Sequence, residues 1–196
     1  MHTDPQNQAV TQRAHPPGDL AMWVFILAEL LVFGVFFAAY AFARAAQPEL
    51  FDRFQATLDP TGGLVNTLLL ITGSYLAVRA VAAIRRGRVA MCQRWLWGAL
   101  AMGGVFLLVK GSELVHHYGE GIRLSTNTFY MFYLSLTGFH YMHVIMGMVI
   151  LAAVAAKARA GAYSASEHAG VETGAAYWHM VDLVWLILFP LVYVMR

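Results

Sequence analysis

The sequence predicts an all-α integral membrane protein built as a bundle of five transmembrane helices. Its residues are 59% hydrophobic and only 12% charged, whereas a soluble domain has about 45–50% apolar and about 25% charged residues. The mean hydropathy is +0.57, and five apolar runs each reach the roughly 20 residues that a bilayer core requires. These runs are continuously apolar rather than alternating, which favours helices over a β-barrel.

The chain divides into a polar tail and an apolar domain. Residues 1–19 lack the apolar stretch of a signal peptide, so we expect a cytoplasmic tail followed by a five-helix domain over residues 20–196. The five predicted spans, in chain order, are Leu20–Ala43, Leu64–Ile84, Trp95–Val115, Thr128–Ala156 and Ala175–Met195. Asp19 is the predicted N-cap of the first helix, and Pro190 should bend the last helix or loosen its final turns.

Lysine and arginine are distributed unevenly between the two sides of the predicted bundle. The side with the tail and the loops after spans two and four carries eight: Arg13, Arg79, Arg85, Arg86, Arg88, Arg94, Lys157 and Arg159. The other side carries four: Arg44, Arg53, Arg123 and Arg196. The positive-inside rule therefore places the N-terminus in the cytoplasm and the C-terminus in the periplasm. The net charge of only +2 gives no indication of nucleic acid binding.

Several ionisable side chains lie inside the predicted spans. They are Glu29, Lys110, Glu113, His140, His143, His179 and Asp182. A charged group at mid-bilayer costs about 3 kcal/mol on insertion scales, so these residues should face other helices and pair. A rise of about 1.5 Å per residue puts Glu29 about 13 Å, His179 about 6 Å and Asp182 about 10 Å from the inner face. We therefore expect an inner cluster of Glu29, His143, His179 and Asp182, and a separate outer pair, Lys110–Glu113.

Three interpretations of these residues compete. In the first, the histidines bind haem or copper, although His140, His143 and His179 do not offer two depth-matched pairs. In the second, Glu113-x-x-His116 is half of a di-iron site, but such sites use two Glu-x-x-His motifs and two further glutamates. In the third, the residues pair between helices and fix the geometry of the bundle. Proton conduction through the inner cluster uses the same residues, and the sequence does not separate it from structural pairing.

Tryptophan and glycine positions have simple structural interpretations. Four of the five tryptophans lie near predicted span ends, where an interfacial belt would place them: Trp23, Trp95, Trp97 and Trp178. Small residues in spans three and four permit close helix approach: Ala99, Gly103, Gly104, Gly138 and Gly147. None of these residues requires a cofactor.

Ordered motifs run along most of the chain. The last span, "YWHMVDLVWLILFPLVYV" (177–194), has a Trp-His-x-x-Asp-x-Val-Trp pattern, and span four contains "TGFHYMHVIMG" (137–147). The others are "ILAELLVFGVFFAAY" (26–40), "VNTLLLITGS" (65–74), "KGSEL" (110–114) and "EHAGVETGAAYWH" (167–179), which supplies His168 and Glu172. Over about residues 17–196 these segments resemble subunit III of the haem-copper oxidases.

The resemblance implies a non-catalytic accessory subunit that binds no haem, copper or other metal itself. Such a subunit packs beside a haem-copper catalytic subunit, which holds the haem and the metal. It also holds phospholipid in a cleft between helix groups, stabilises the active centre and helps to supply protons. By resemblance, Glu29 is the buried glutamate of that cleft. His143, His179 and Asp182 are motif positions with structural or lipid-contacting roles.

The number of spans narrows the resemblance. The longer family members have seven helices, and "HPPGDLAMWVFILAELLVFG" (15–34) and the last span are most similar to the short NorE-type proteins associated with bacterial nitric oxide reductase. The implied partner is either subunit I of a cytochrome or quinol oxidase or the large subunit of nitric oxide reductase, in a bacterial inner membrane. Lys110 departs from the neutral residue of many oxidase members. The alternative function is a haem-binding membrane cytochrome that acts as a redox enzyme in its own right.

Overall fold

The computed structural model describes residues 19–195, which form five long helices and two short helical segments. The elements are α1 (Leu20–Ala46), α2 (Pro48–Gln55), α3 (Pro60–Arg85), α4 (Val89–Gly119), α5 (Thr128–Arg159), α6 (Ala169–Phe189) and a π-helical turn (Pro190–Val194). The five long helices are long and apolar enough to cross a membrane, and residues 19–195 contain no β-strand. The predicted fold class is confirmed, while the orientation across the membrane stays a prediction.

Capping side chains set where three of the long helices begin. The carboxylates of Asp19 and Asp59 and the side-chain oxygen of Asn127 accept hydrogen bonds from backbone N–H groups in the first turns of α1, α3 and α5. These N–H groups have no acceptor within the helix, so the caps satisfy them. The prediction that Asp19 caps the first helix is confirmed.

Several stretches differ from the predicted spans. The sequence does not predict α2, because its eight residues, PELFDRFQ, are amphipathic and too short for a span; Phe51 and Gln55 are buried. Helix α4 begins at Val89 rather than at Trp95. Polar residues end the apolar run there without ending the helix, because helical hydrogen bonding continues beyond the apolar layer. For the same reason α6 begins before the predicted Ala175.

Successive long helices alternate in direction, so the helix ends lie in two groups, one at each end of the bundle. At one end the Asp19 N–H at the start of α1 donates to Thr173 Oγ1 of α6 at 3.2 Å. We call this the arginine-rich end, because the turn between α3 and α4 lies there with Arg86 and Arg88. At the opposite end Arg44 of α1 donates to the carbonyl of Met195.

Helix α1 is the least enclosed of the long helices. It packs against α5 and α6 and buries only Ile26, Phe33 and Tyr40 completely. Its exposed apolar side chains face away from the bundle and include Leu20, Val24, Leu27, Leu31, Val35 and Phe42. This surface suits contact with lipid or with another membrane protein, because in either case these apolar side chains are not in contact with water.

Helix α6 is the centre of the bundle, and Trp178 is its main anchor. The Trp178 side chain is fully buried, in contrast to the interfacial position that the sequence predicts. Glycines on three neighbouring helices leave room for it. A Cβ atom would lie 2.6 Å from the indole at Gly103, 3.1 Å at Gly147 and 3.3 Å at Gly73. These distances show that α3 and α5 approach α6 closely at this level and that the far edge of the indole ring reaches α4.

Pro190 changes the hydrogen bonding of the last turns. From Pro190 the chain forms a π-helical turn, and the Met195 N–H donates to the Pro190 carbonyl at 2.9 Å. The wider turn buries Val192 and Tyr193. The prediction that Pro190 loosens the final turns is confirmed.

Candidate functional site

Glu29 and His143 form a partly buried pair between α1 and α5. The His143 Nε2 atom lies 3.0 Å from Glu29 Oε2. Phe33 and Phe139 flank the imidazole, with ring centroids 5.1 and 4.6 Å away. The pair connects the loosely packed α1 to the rest of the bundle.

The geometry of His143 determines where its hydrogens lie. Its Nδ1 atom is 2.8 Å from the carbonyl oxygen of Phe139, and since a carbonyl only accepts, Nδ1 must carry a hydrogen. A hydrogen bond between Nε2 and Glu29 then requires one more proton, either on the imidazole or on the carboxyl group. The Glu29–His143 pair therefore holds one shared proton inside the bundle.

His179 and Asp182 meet α3 rather than the Glu29–His143 pair. The His179 Nδ1 atom lies 2.7 Å from Ser74 Oγ. The Asp182 carboxylate lies near both residues, and its Oδ1 atom has no hydrogen-bond partner among residues 19–195. No hydrogen bond or ion pair among residues 19–195 joins this group to Glu29 or His143. The prediction of one four-residue inner cluster is therefore wrong. Similar depth does not bring side chains together when they point to different faces of their helices.

Lys110 and Glu113 form the predicted outer pair, with Nζ 2.9 Å from Oε1. Two tyrosines complete the network. Tyr133 of α5 and Tyr193 of the π-helical turn both donate to the Glu113 carboxylate, and both hydroxyls also accept from Lys110. The Lys110 ammonium lies over the rings of Tyr133, Trp185 and Tyr193, at 5.0, 5.8 and 5.1 Å from their centroids. A fully buried lysine is thus neutralised and solvated by protein groups.

His140 is fully buried and aromatic side chains surround it. The ring centroids of Trp185, Phe106 and Phe33 lie 5.2, 5.8 and 6.5 Å from the imidazole. Neither ring nitrogen has a hydrogen-bond partner among the described residues. The structure therefore separates His140 from His143, whose ring faces α1.

The residues of the metal-binding interpretations do not converge. No group of three or more His, Cys, Asp or Glu side chains within residues 19–195 is arranged to hold a metal ion. The carboxylate of Glu113 is taken by Lys110, whereas His116 is 72% exposed and lies 3.4 Å from Glu120. His143 Nε2, one of the nitrogens considered for haem, is engaged by Glu29.

An apolar cleft of about 470 Å³ lies between α1, α3 and α6. Its apolar walls come from all three helices and include Ile26, Leu30, Val78, Val81, Met180 and Leu183. At the arginine-rich end Arg85 donates from Nε and Nη2 to Glu172 Oε1, at 2.9 and 2.7 Å. His168 Nε2 lies 3.2 Å from the same oxygen. The cleft thus has apolar walls and a charged rim, and His179 also lines it.

Sequence reasoning missed the partners of several predicted residues. Ser74, Tyr133 and Tyr193 are neutral hydrogen-bonding groups, and in the sequence they look like ordinary residues of a membrane helix. Arg85 enters the sequence argument only as a topology signal, although it binds Glu172. The sequence gives the spacing of polar residues along each helix, and this spacing does not indicate which residues of other helices they contact.

The sequence matches a known family over most of its length. Residues 8–196 match the profile described as cytochrome c oxidase subunit III. "Cytochrome c oxidase subunit 3" of Thermostichus vulcanus is 36% identical over 90% of this chain and 86% of its own length. The protein of the same name from Synechocystis sp. is 34% identical over 96% of this chain and 80% of its own length. "Heme-copper oxidase subunit I+III" of Aeropyrum pernix is 32% identical over 88% of this chain and 22% of its own length.

The five membrane-length helices and their internally paired ionisable groups define a multi-pass integral membrane protein. With the relatives above, it is a protein of the bacterial inner membrane. The chain belongs to the cytochrome c oxidase subunit III family. This membership confirms the family resemblance found in the motifs.

Proposed function

We propose that this protein is a non-catalytic accessory subunit of a bacterial respiratory haem-copper complex. The observation that carries the proposal is the match to proteins named oxidase subunit 3 over nearly the whole chain. Electron transfer would then occur in a catalytic partner, which would hold the haem and the metal. This chain would contribute stability, lipid organisation and proton supply.

The proposed partner is the large catalytic subunit of the complex. The relative from Aeropyrum pernix is named as subunits I and III in one chain, which supports a close association between these two components. For this protein the partner is subunit I of an oxidase or, following the resemblance to NorE-type proteins, the large subunit of nitric oxide reductase. The exposed apolar face of α1 is available for such a contact.

The proposed lipid role rests on the cleft between α1, α3 and α6. Its apolar walls suit acyl chains, and its rim carries Arg85, Glu172 and His168, which suit the polar part of a phospholipid. A lipid in this position would fill the space that α1 leaves against α3. Lipid organisation and stability of the complex would then be one function.

The proposed contribution to proton supply rests on the Glu29–His143 pair. The pair holds a shared proton and Glu29 remains 19% exposed, so the proton can be exchanged with a group beside α1. Ionisable side chains inside membrane segments often belong to proton relays. A catalytic subunit packed on α1 would be the acceptor.

Affinity purification from native membranes tests the proposed function. The protein with an N-terminal tag is extracted in mild detergent, and the eluate is analysed by mass spectrometry and by its absorption spectrum. We expect a haem-copper catalytic subunit in stoichiometric amount, together with its Soret band. The identity of that subunit decides between an oxidase and nitric oxide reductase.

The same purification tests the haem-binding alternative. After the partner has been removed by a harsher detergent, this chain alone should show no Soret band. A stoichiometric Soret band that disappears in His143→Ala or His179→Ala would establish the membrane cytochrome instead. Recovery of the chain from native membranes without any haem-copper subunit would overturn the accessory role.

A further inference from the structure

A second pocket lies at the arginine-rich end, where α3 turns into α4. Its lining residues are Arg79, Ala82, Ala83, Arg86, Arg88, Met91 and Trp95. The cleft described above is lined by residues 78, 81, 82 and 85 of α3, so the two sites use adjoining faces of the same helix. We call this second site the arginine pocket.

Arg79 is held in place before any ligand binds. Its Nη1 atom donates to the Tyr75 hydroxyl at 2.6 Å. Its guanidinium group lies 4.9 Å from the ring centroid of Trp95 and 5.7 Å from that of Tyr75. Two aromatic rings and one hydrogen bond restrict the side chain, which lowers the entropy that a bound anion would have to remove.

Gly87 brings the other two arginines to the same pocket. Arg86 is the C-cap of α3, Arg88 is the N-cap of α4, and Gly87 between them has φ +69°. A left-handed conformation of this kind favours glycine and permits an abrupt turn. The Arg88 N–H closes the turn by donating to the Ala83 carbonyl at 3.0 Å.

No carboxylate of the described residues neutralises the positive charge of the arginine pocket. Within residues 19–195, Arg79, Arg86 and Arg88 form no ion pair, and the pocket lining contains no acidic residue. By contrast, Arg85 and Arg44 each bind a carboxylate. The first turn of α4 also has no acidic residue and no side-chain cap, so the positive end of its dipole adds to the field.

An exposed apolar strip of α3 adjoins the arginine pocket. Leu68, Ile71 and Tyr75 lie on the same side of α3 as Arg79, at helical spacing, and each is largely exposed. An anion in the pocket would therefore lie next to a strip of apolar surface about 10 Å long, which the first part of an acyl chain could cover. Guanidinium groups bind phosphate oxygens in pairs of parallel hydrogen bonds.

We propose that the arginine pocket binds the phosphate of an anionic phospholipid, with an acyl chain along Leu68, Ile71 and Tyr75. Three uncompensated arginines favour a headgroup of net negative charge, such as phosphatidylglycerol. They disfavour the ammonium group of phosphatidylethanolamine. This site is separate from the cleft of the proposed function and does not depend on the catalytic partner.

Native mass spectrometry of the purified full chain tests this site. The delipidated protein is incubated with phosphatidylglycerol or with phosphatidylethanolamine of the same acyl chains, and the bound fraction is measured. We expect preferential retention of phosphatidylglycerol. In the triple variant Arg79→Gln/Arg86→Gln/Arg88→Gln this retention should fall by about tenfold or more, since each basic residue near a headgroup contributes to attraction.

Matched variants separate a specific site from general charge. Arg94→Gln/Lys157→Gln/Arg159→Gln removes the same charge at the same end, outside the pocket, and should keep the preference. The cleft variant Ala176→Phe should also keep it, which distinguishes this site from the cleft. Single Arg86→Gln and Arg88→Gln variants provide the test if the triple variant does not fold, because neither side chain has a hydrogen-bond or ion-pair partner among residues 19–195.

Three results would overturn the proposal. Equal losses in the pocket triple and in the control triple would mean a diffuse electrostatic effect. Equal binding of phosphatidylethanolamine would remove the selectivity. If inorganic phosphate alone raised the melting temperature of the protein as much as phosphatidylglycerol does, the pocket would be a site for a free anion rather than for a lipid.

Discussion

Lys110 shows how single residues determine the stability of this bundle. An isolated charge in the hydrocarbon layer costs several kcal/mol, yet Lys110 is completely buried. Glu113 neutralises it and the hydroxyls of Tyr133 and Tyr193 replace water. Because the four residues come from α4, α5 and the π-helical turn, the network also ties three elements together.

Removing one charge of this pair should destabilise the protein more than removing both. Lys110→Met leaves the Glu113 carboxylate buried without its cation and should lower the free energy of unfolding by about 3–5 kcal/mol. The double variant Lys110→Met/Glu113→Gln should recover part of this loss. Thermal denaturation in detergent measures both.

Arg53→Met is the control for the loss of one cation, since Arg53 is exposed at the same end of the bundle. Its melting temperature should stay near that of the unmodified protein. A double variant no more stable than Lys110→Met would argue against a paired network.

At the scale of the helices, close packing around Trp178 positions the predicted site residues. Trp178 precedes His179 and lies one turn from Asp182. Gly73 leaves room for the indole ring of Trp178, and α3 can therefore pack against this part of α6. Ser74 follows Gly73 on α3 and reaches His179 for this reason. The polar contact between the two helices therefore depends on an apolar one.

Gly103→Ala should disturb this packing. The added Cβ would lie 2.6 Å from Cη2 of Trp178, and overpacking of this kind costs about 1–3 kcal/mol. Gly138→Ala is the matched control, because nothing lies within 4 Å of a Cβ at that position. Melting temperatures of the two variants should differ clearly, and equal values would contradict the proposed role of Trp178.

The whole molecule is an unevenly packed bundle. Three long helices, α3, α4 and α5, surround the Trp178 ring of α6, while α1 is attached mainly through α5, α6 and the Glu29–His143 pair. The cleft lies where α1 and α3 leave space, and the apolar surface of α1 faces outward. This arrangement suits a subunit whose first helix is covered by lipid and by a larger partner.

Weakening the α3–α6 contact should lower the stability of the assembled complex. His179→Ala leaves the Ser74 hydroxyl without its hydrogen-bond partner, and Ser74→Ala does the same to His179. Each variant should therefore lower the free energy of unfolding by a similar amount, about 1–3 kcal/mol. Asp182→Asn, on the same face, should act in the same direction. Heat resistance and recovery of the partner from native membranes are the measurements.

Ser112→Ala is the control for the Ser74→Ala and His179→Ala variants. Its hydroxyl is exposed and bonds only the carbonyl of Val109 in its own helix. Normal assembly and heat resistance in both Ser74→Ala and His179→Ala would show that the contact is not needed in the complex.

Features that depend on one helix alone could be predicted from the sequence. The Lys110–Glu113 pair is separated by three residues, so it follows from helical geometry. Asp19 and Pro190 act within their own turns, and both predictions are confirmed. Contacts between helices are different, because depth in the membrane does not specify which way a side chain points around its helix axis.

Apolarity and its run lengths by themselves determined that this chain is a five-helix membrane protein, and the ordered motifs determined its family. Only the tertiary structure decided that Glu29 pairs with His143 while His179 bonds Ser74. It also decided that Trp178 lies at the centre of the bundle rather than at its edge. The reason is physical: transfer into a bilayer depends on the composition of each segment, whereas the pairing of side chains depends on the rotation and approach of helices that are distant in sequence.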